Sequence, residues 1–334
     1  MSAPPIPPEG GARLAGAYAD AGVDIAGYGR LLERVRPMIV ATHGPQVVNG
    51  IGPFAGLYRL PDGGGLLAAS ADGIGTKIKV AVAYERHTGI GHDLVNHCVN
   101  DIATTGARPL FFLDYFASGR LDGPVFEQVM TGLTAACAAN GCPLLGGETA
   151  EMPGLYALGD YDVAGFAVGL VPAGTPPRSP VIAGDLIVGL ASSGLHTNGF
   201  SLVRRVFQDQ DLHAVLPGLD RPLGEELLEP HRSYLAPLSS LPWKAAAHIT
   251  GGGLIENVPR ALPAGLAAEL EPAVWPVPPI FDLIQRRGRI DPDEMMGTFN
   301  MGLGLVLVTS DPIPGHPVVG RVVEAGAGPR LRFR

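Results

Sequence analysis

Pro172-Ala173-Gly174-Thr175-Pro176-Pro177-Arg178-Ser179-Pro180 is the stretch that divides the chain. Its four prolines remove backbone donors and fix φ, so neither a helix nor a central strand passes through it. An apolar run precedes it, Val163 to Val171, and another follows, Asp185 to Ala191. Each reads as a strand. Residues 172–180 are therefore the expected linker between a domain over 18–171 and a domain over 181–334. Residues 1–17, with Pro4, Pro5, Pro7 and Pro8, read as a flexible tail. A chain of 334 residues exceeds one ordinary core, which agrees with two domains.

Upstream of the linker, Leu110 to Phe116 reads as a strand, and so does Leu66 to Ser70, ending at Asp72. Between them and the linker, Asp122 to Gly141 predicts a helix. Asp122 suits the cap, Pro124 the first turn, and Phe126, Val129, Met130, Leu133 and Cys137 recur at helical spacing. Met130 and Cys137 on that stripe are core. Downstream, Asn198 to Phe207 and Leu254 to Ala261 predict helices entered from glycine-bearing loops, and Phe299 to Thr309 predicts a strand. Strands and helices mix without strict βαβ alternation, so two α+β domains are expected.

Hydrophobic residues make up 46% and charged residues 17%, which suits a folded chain. The net charge of −8, with no basic run, argues against a nucleic-acid or anionic-membrane partner. Any phosphate must then meet backbone N–H groups, a few placed cations, or metal. Cys98, Cys137 and Cys142 form no CxxC pair, so free thiols in a reducing compartment are expected. With no secretory leader and no membrane-length apolar run, the expected location is the cytoplasm.

Both common nucleotide fingerprints are missing: there is no GxxxxGK[ST], and Gly50 to Gly56 has the wrong spacing for GxGxxG. Carboxylates suggest another route. Asp72 opens Asp72-Gly73-Ile74-Gly75-Thr76-Lys77, where Gly73 and Gly75 let backbone approach phosphate and Lys77 supplies a cation. Asp101 shares a helix with Leu94, Cys98 and Ile102, at the edge of the buried side. Glu148 follows a turn at Gly146-Gly147, after Pro143 to Leu145. Three such carboxylates, if they converge, suit Mg²⁺, a hard cation that bridges to phosphates. The plainer readings are a turn Asp, a surface helix carboxylate and an exposed Glu.

The motifs themselves resemble a known family. Asp20-Ala21-Gly22-Val23-Asp24-Ile25, Asp72 to Lys77, Val99-Asn100-Asp101 and Gly146-Gly147-Glu148-Thr149-Ala150-Glu151-Met152-Pro153 occur in the order found in phosphoribosylformylglycinamidine cyclo-ligases. So do Tyr161 to Phe166, Ser192 to Gly199, His248 to Gly253, Glu256 to Arg260 and Phe299 to Gly302. The resemblance covers roughly Tyr18 to Val308. It implies a homodimer in which the N-terminal mixed sheets join into a barrel, with ATP near that interface. It implies ring closure of a small-molecule ribonucleotide, formylglycinamidine ribonucleotide, to aminoimidazole ribonucleotide in purine biosynthesis, with ADP and phosphate released. It implies Mg²⁺, with K⁺ as a second candidate ion, and makes Asp72, Asp101 and Glu148 the metal and nucleotide carboxylates, beside Gly73, Gly75, Thr76 and Gly147.

His196 and His248 admit two readings, a structural histidine or a general acid or base, and each sits in a loop expected to face substrate. Ser192, Ser193, Gly194 and Asn198, with Gly251, Gly252 and Gly253, offer N–H groups to a ribose phosphate where they lead into helices. His87, His92 and His97 recur every five residues, which scatters them around a helix, and they read as surface residues. The chain departs from the family in a short Tyr234 to His248 stretch and in a Pro-rich Asp311 to Pro317 where a helix is usual. The competing readings are another ATP-using enzyme of the superfamily and a non-enzymatic relative. Selenophosphate synthetase needs a reactive residue near its start, and no Cys precedes Cys98.

Overall fold

The computed structural model of the chain describes residues 17–23 and 25–334. The expected tail lies outside the described residues except for Ala17, as does Asp24 of the Asp20 to Ile25 motif. Among the described residues, twelve strands form two six-stranded sheets, one on each side of residues 172–180, which carry neither helix nor strand. The first sheet contains β1 (Val47–Asn49), β2 (Gly56–Arg59), β3 (Leu66–Gly73), β4 (Arg108–Ser118), β5 (Leu144–Glu151) and β6 (Tyr161–Val171). Its order is β1-β2-β3-β6-β4-β5, antiparallel except for the β4/β5 pair. The second contains β7 (Leu186–Ala191), β8 (Ala245–His248), β9 (Leu266–Leu270), β10 (Leu303–Thr309), β11 (Val318–Glu324) and β12 (Leu331–Phe333). Its order is β12-β9-β11-β7-β10-β8, with only β12/β9 parallel. The architecture is α+β, as the sequence predicts.

Burial along β6 alternates, with Tyr161, Val163, Gly165 and Ala167 inward and Asp162 and Phe166 outward. That period of two gives the first sheet one covered face. Helices Thr88–Ala103 and Gly123–Ala139 cover it, packing Leu94, Cys98 and Ile102 with Val129, Leu133 and Cys137 around Phe112 and Phe116. The two helices cross closely because Gly91 and Gly132 meet there: a Cβ on either would collide with backbone of the other helix. Asp122 caps Gly123–Ala139 by accepting from the Val125 amide at 3.1 Å. The opposite face presents Leu113, Leu145 and Phe166 to solvent.

Glu148 departs from expectation. Gly146-Gly147 is not a turn; β5 runs straight through it, with a register shift against β4 between Phe112 and Leu113. Gly146 takes φ 145°, and a side chain on Gly147 would strike the Asp114 carbonyl, so glycine here serves close strand packing. No described helix is long and apolar enough to cross a membrane.

Candidate active site between the two halves

Helix Thr88–Ala103 is buried on nearly every side, because the second half covers the face that the first sheet does not. Three polar side chains on that face, at i, i+3 and i+7, hold the backbone of residues 231–234. The Asp93 carboxylate accepts from the His231 amide at 2.6 Å, and Asn96 donates to the His231 carbonyl at 2.6 Å. Asn100 accepts from the Tyr234 amide at 2.6 Å and donates to the Arg232 carbonyl at 2.9 Å. These bonds satisfy buried polar groups on both partners and fix the halves in register.

Lys77 belongs to this scaffold. Its ammonium is fully buried, 2.7 Å from Asp93 and 2.9 Å from the Glu229 carbonyl that accepts from it. The cation expected to meet phosphate or act in catalysis is thus committed to an internal ion pair. Burial raises the Asp93 carboxyl to about 6 even with Lys77 beside it.

A cleft of about 340 Å³ opens between the halves. Its walls include Asp72 to Thr76 from the first half and Thr197 to Ser201 from the second. Thr76 and Ser201 hydroxyls meet at 3.1 Å across it. Thr76 stands at the N-terminal boundary of the helix Lys77–Tyr84 without a side-chain capping bond, so that helix starts at the cleft. Gly199, at φ 79°, turns the chain into the helix Phe200–Val206, where any side chain would collide with Phe299.

Behind the cleft lies a cluster of four buried histidines, His97, His196, His231 and His248. His97 bridges the halves: its Nε2 is 2.8 Å from Asp72 and its Nδ1 2.9 Å from the Thr197 hydroxyl. Burial opposes charge on His97, but Asp72 and Asp101 overcome it and raise its pKa to about 9. Burial likewise acts to raise Asp72, and His97 together with the Gly73 amide outweighs it, leaving the carboxyl below its ordinary range. His248, at the end of β8, places Nδ1 2.8 Å from Asp101 Oδ1. Asp101 Oδ2 accepts from Ser70 at 3.2 Å. Burial lowers His248, and pushes His196 and His231 well below the ordinary histidine value, so this trio is neutral near pH 7.

The surface reading of His87 and His97 is therefore corrected. Both are buried, and His87 Nδ1 lies 2.9 Å from the Tyr161 hydroxyl. His97 stands four residues before Asp101, so the two share one helix face, a spacing present in the sequence. The roles of His231 and Asp93 had no comparable local signal.

Of the expected site residues, Asp72, Gly73, Gly75, Thr76 and Asn198 line the cleft. Asp101, His196 and His248 lie in the histidine cluster. Glu148 does not join them. It stands exposed on the edge strand β5, in register with Tyr115, then Ala164, then Gly73. Three strand spacings separate it from Gly73, roughly 14 Å. Gly147 is exposed beside it. In the 192–199 loop, Ser193 donates its hydroxyl proton to the Pro230 carbonyl at 2.6 Å, and its amide donates to His196 Nε2 at 3.3 Å. The buried Ser192 hydroxyl has no partner among the described residues, and the Gly194 carbonyl accepts from Asn300. Gly252 and Gly253 take φ 88° and 57° to enter the helix Gly253–Arg260, while Asn257 donates to the carbonyls of Thr250, Gly251 and Gly253. A Cβ on Gly251 would lie 3.3 Å from the Asn198 side-chain oxygen, which joins this loop to the cleft wall.

Two sheets meeting at such a cleft define a two-domain class, and the comparisons agree. The family model for AIR synthase related protein, N-terminal domain, matches residues 52–171, and that for the C-terminal domain matches residues 183–312. A phosphoribosylformylglycinamidine cyclo-ligase from Myxococcus xanthus (strain DK1622) is 51% identical, over 93% of this chain and 96% of that one. One from Anaeromyxobacter sp. (strain Fw109-5) is 50% identical, over 95% and 92%. The chain belongs to the phosphoribosylformylglycinamidine cyclo-ligase family. Among solved structures, AaThiL complexed with AMPPCP and TMP shares the fold, with a TM-score of 0.64 at 16% identity over 91% of this chain and 92% of that one.

Proposed function

We propose that the chain closes the imidazole ring of aminoimidazole ribonucleotide from formylglycinamidine ribonucleotide, consuming ATP and releasing ADP and phosphate. The observation that carries this reading is the cleft in which the Asp72 to Thr76 loop meets the Thr197 to Ser201 loop. One loop begins a helix and offers amides to phosphate; the other brings the second half's residues to the same space.

A formamide carbon is a poor electrophile and its oxygen a poor leaving group. Transfer of the γ-phosphoryl group to that oxygen makes it a phosphate leaving group. The amidine nitrogen then attacks the carbon, the C–O bond breaks, and the ring closes as phosphate departs. The protein's task is positioning and charge neutralisation. Proximity of two ends of one substrate supplies up to roughly 7–11 kcal/mol.

Gly75 and Thr76 hold the nucleotide phosphates by their amides, while the Gly73 amide, bonded to Asp72, shapes the loop. The Ser192 hydroxyl, Gly194 and Asn198, with Gly251 and Gly252, hold the ribose phosphate, while Ser193, bonded to Pro230 and His196, braces the loop. Asp72 and Asp101 offer hard oxygen donors and fit Mg²⁺, which would neutralise charge on the triphosphate. Glu148 stands on an exposed edge strand beside the uncovered sheet face. A homodimer joined through these first sheets covers both and brings Glu148 to the shared nucleotide site. Sedimentation at micromolar concentration then gives twice the 34.7 kDa chain mass; a fully active monomer contradicts the dimer.

His196 is the proton-handling group in this reading. Its Nε2 accepts from the Ser193 amide, so the neutral ring carries its proton on Nδ1, an atom with no partner among the described residues. His248, bonded to Asp101, positions that carboxylate. ATP use agrees with the same fold binding AMPPCP in AaThiL. A coupled assay of ADP release tests the proposal: release requires formylglycinamidine ribonucleotide, and release indifferent to that substrate refutes it.

A further inference from the structure

We propose that His97, Asp101 and His248 form a binding site for a transition-metal dication such as Zn²⁺, separate in donor chemistry from the Mg²⁺ that accompanies nucleotide. One ligand atom from each of these residues lies within 4.8 Å of the others, and all three residues are buried. Zinc bonds of about 2.0–2.2 Å set ligand atoms roughly 3.5 Å apart, so small side-chain adjustments close the set. Two of the donors come from one helix face at i, i+4, the spacing by which helices present paired metal ligands. The third comes from the end of β8 in the other half.

The outer contacts match what metal-binding imidazoles need. His248 Nδ1 lies 2.8 Å from Asp101, its fellow ligand, and His97 Nε2 lies 2.8 Å from Asp72 outside the set. The far nitrogens are held too: His97 Nδ1 by Thr197 at 2.9 Å, and His248 Nε2 by His231 at 2.9 Å. Such bonds fix ring orientation before an ion arrives; the ion then displaces one proton from charged His97 and the Nδ1 proton of His248, so binding releases protons. Asp72, against His97 and in the cleft wall, marks the ion's entry. Two imidazoles and one carboxylate select zinc-like ions, since Mg²⁺ binds oxygen and rarely imidazole. Because Asp101 belongs to both sets, a zinc ion here withdraws it from the nucleotide. The binding itself does not depend on the cyclo-ligase reading.

The test uses the full chain after chelator treatment. Equilibrium dialysis against Zn²⁺ in excess Mg²⁺ is expected to retain one ion per chain. Co²⁺ in its place is expected to show visible d–d bands of a nitrogen and oxygen site, without thiolate charge-transfer bands. His97→Gln and His248→Gln each weaken Zn²⁺ binding by more than about 100-fold, since loss of an outer partner alone costs about 10–100-fold. His231→Asn, which removes such an outer partner, weakens it within that lower range. No stoichiometric retention overturns the proposal. So does a cobalt spectrum with thiolate bands, which would move the ion to a cysteine such as Cys98, or a folded His97→Gln chain that binds as the wild type does. Should the variants fail to fold, the wild-type cobalt spectrum decides alone.

Discussion

His231 Nε2 lies 2.9 Å from His248 Nε2, with both rings buried. The tautomers follow from their other neighbours. Asp101 accepts from His248 Nδ1, so the neutral His248 ring has a bare Nε2, and His231 donates to it. His231 Nδ1 is then a bare acceptor with no partner among the described residues. His231→Asn removes the 2.9 Å donor and leaves His248 Nε2 only the longer 3.4 Å contact with the Asn100 side-chain amide. The expected loss is about 1 kcal/mol, the net worth of one buried hydrogen bond, read from the urea midpoint. An unchanged midpoint contradicts the assigned donor.

Lys77 and Asp93 make a fully buried ion pair, so Lys77→Met leaves Asp93 without its cation. Breaking such a pair costs about 3–5 kcal/mol, whereas Lys77→Met with Asp93→Asn, which keeps an oxygen for the His231 amide, costs less than the single change. A double-mutant cycle by denaturant unfolding measures this. A stable Lys77→Met chain that has lost turnover would instead return Lys77 to the chemistry.

His97 makes stability depend on pH. Its folded pKa of about 9 lies above the unfolded value near 6.5. Its contribution is complete below about 6.5 and is lost as pH rises through about 9. In chelator-treated protein, the stability gap between wild type and His97→Gln should narrow across that window. A gap constant from pH 6 to 10 contradicts a charged His97.

Much of the fold was legible. Asp122, Pro124 and the Phe126 to Cys137 stripe locate their helix because cap, first turn and period agree. Asp72 at a strand end was legible too, since β3 closes on it and Gly73. The errors came from tertiary context. Gly146-Gly147 looks like a turn, yet the pair serves tight packing of β5 on β4. His97 looks solvent-facing only while helix Thr88–Ala103 is considered alone. Residues 230–234, from far along the chain, bury its polar face through Asp93, Asn96 and Asn100. Nothing local announces that cover.

Asp101→Asn keeps the side chain's shape while removing its charge. Asp101 Oδ1 meets His248 and Oδ2 meets Ser70, so an amide keeps part of this bonding and the fold survives. The expected loss in kcat is about 100-fold or more, the scale for a group that stabilises transition-state charge. Near-normal turnover at limiting Mg²⁺ rules Asp101 out of the nucleotide site.

The route of the formyl oxygen tests the account most directly. In the proposed reaction that oxygen takes the γ-phosphoryl group and leaves as part of phosphate, with no phosphorylated enzyme between. Substrate labelled with ¹⁸O at the formyl position should therefore give phosphate carrying one labelled oxygen per turnover, read by mass spectrometry. A phosphohistidine route through His196 or His248, hydrolysed by water, gives phosphate with oxygen from solvent. Labelled phosphate at full turnover is the expected result; unlabelled phosphate from labelled substrate contradicts the account.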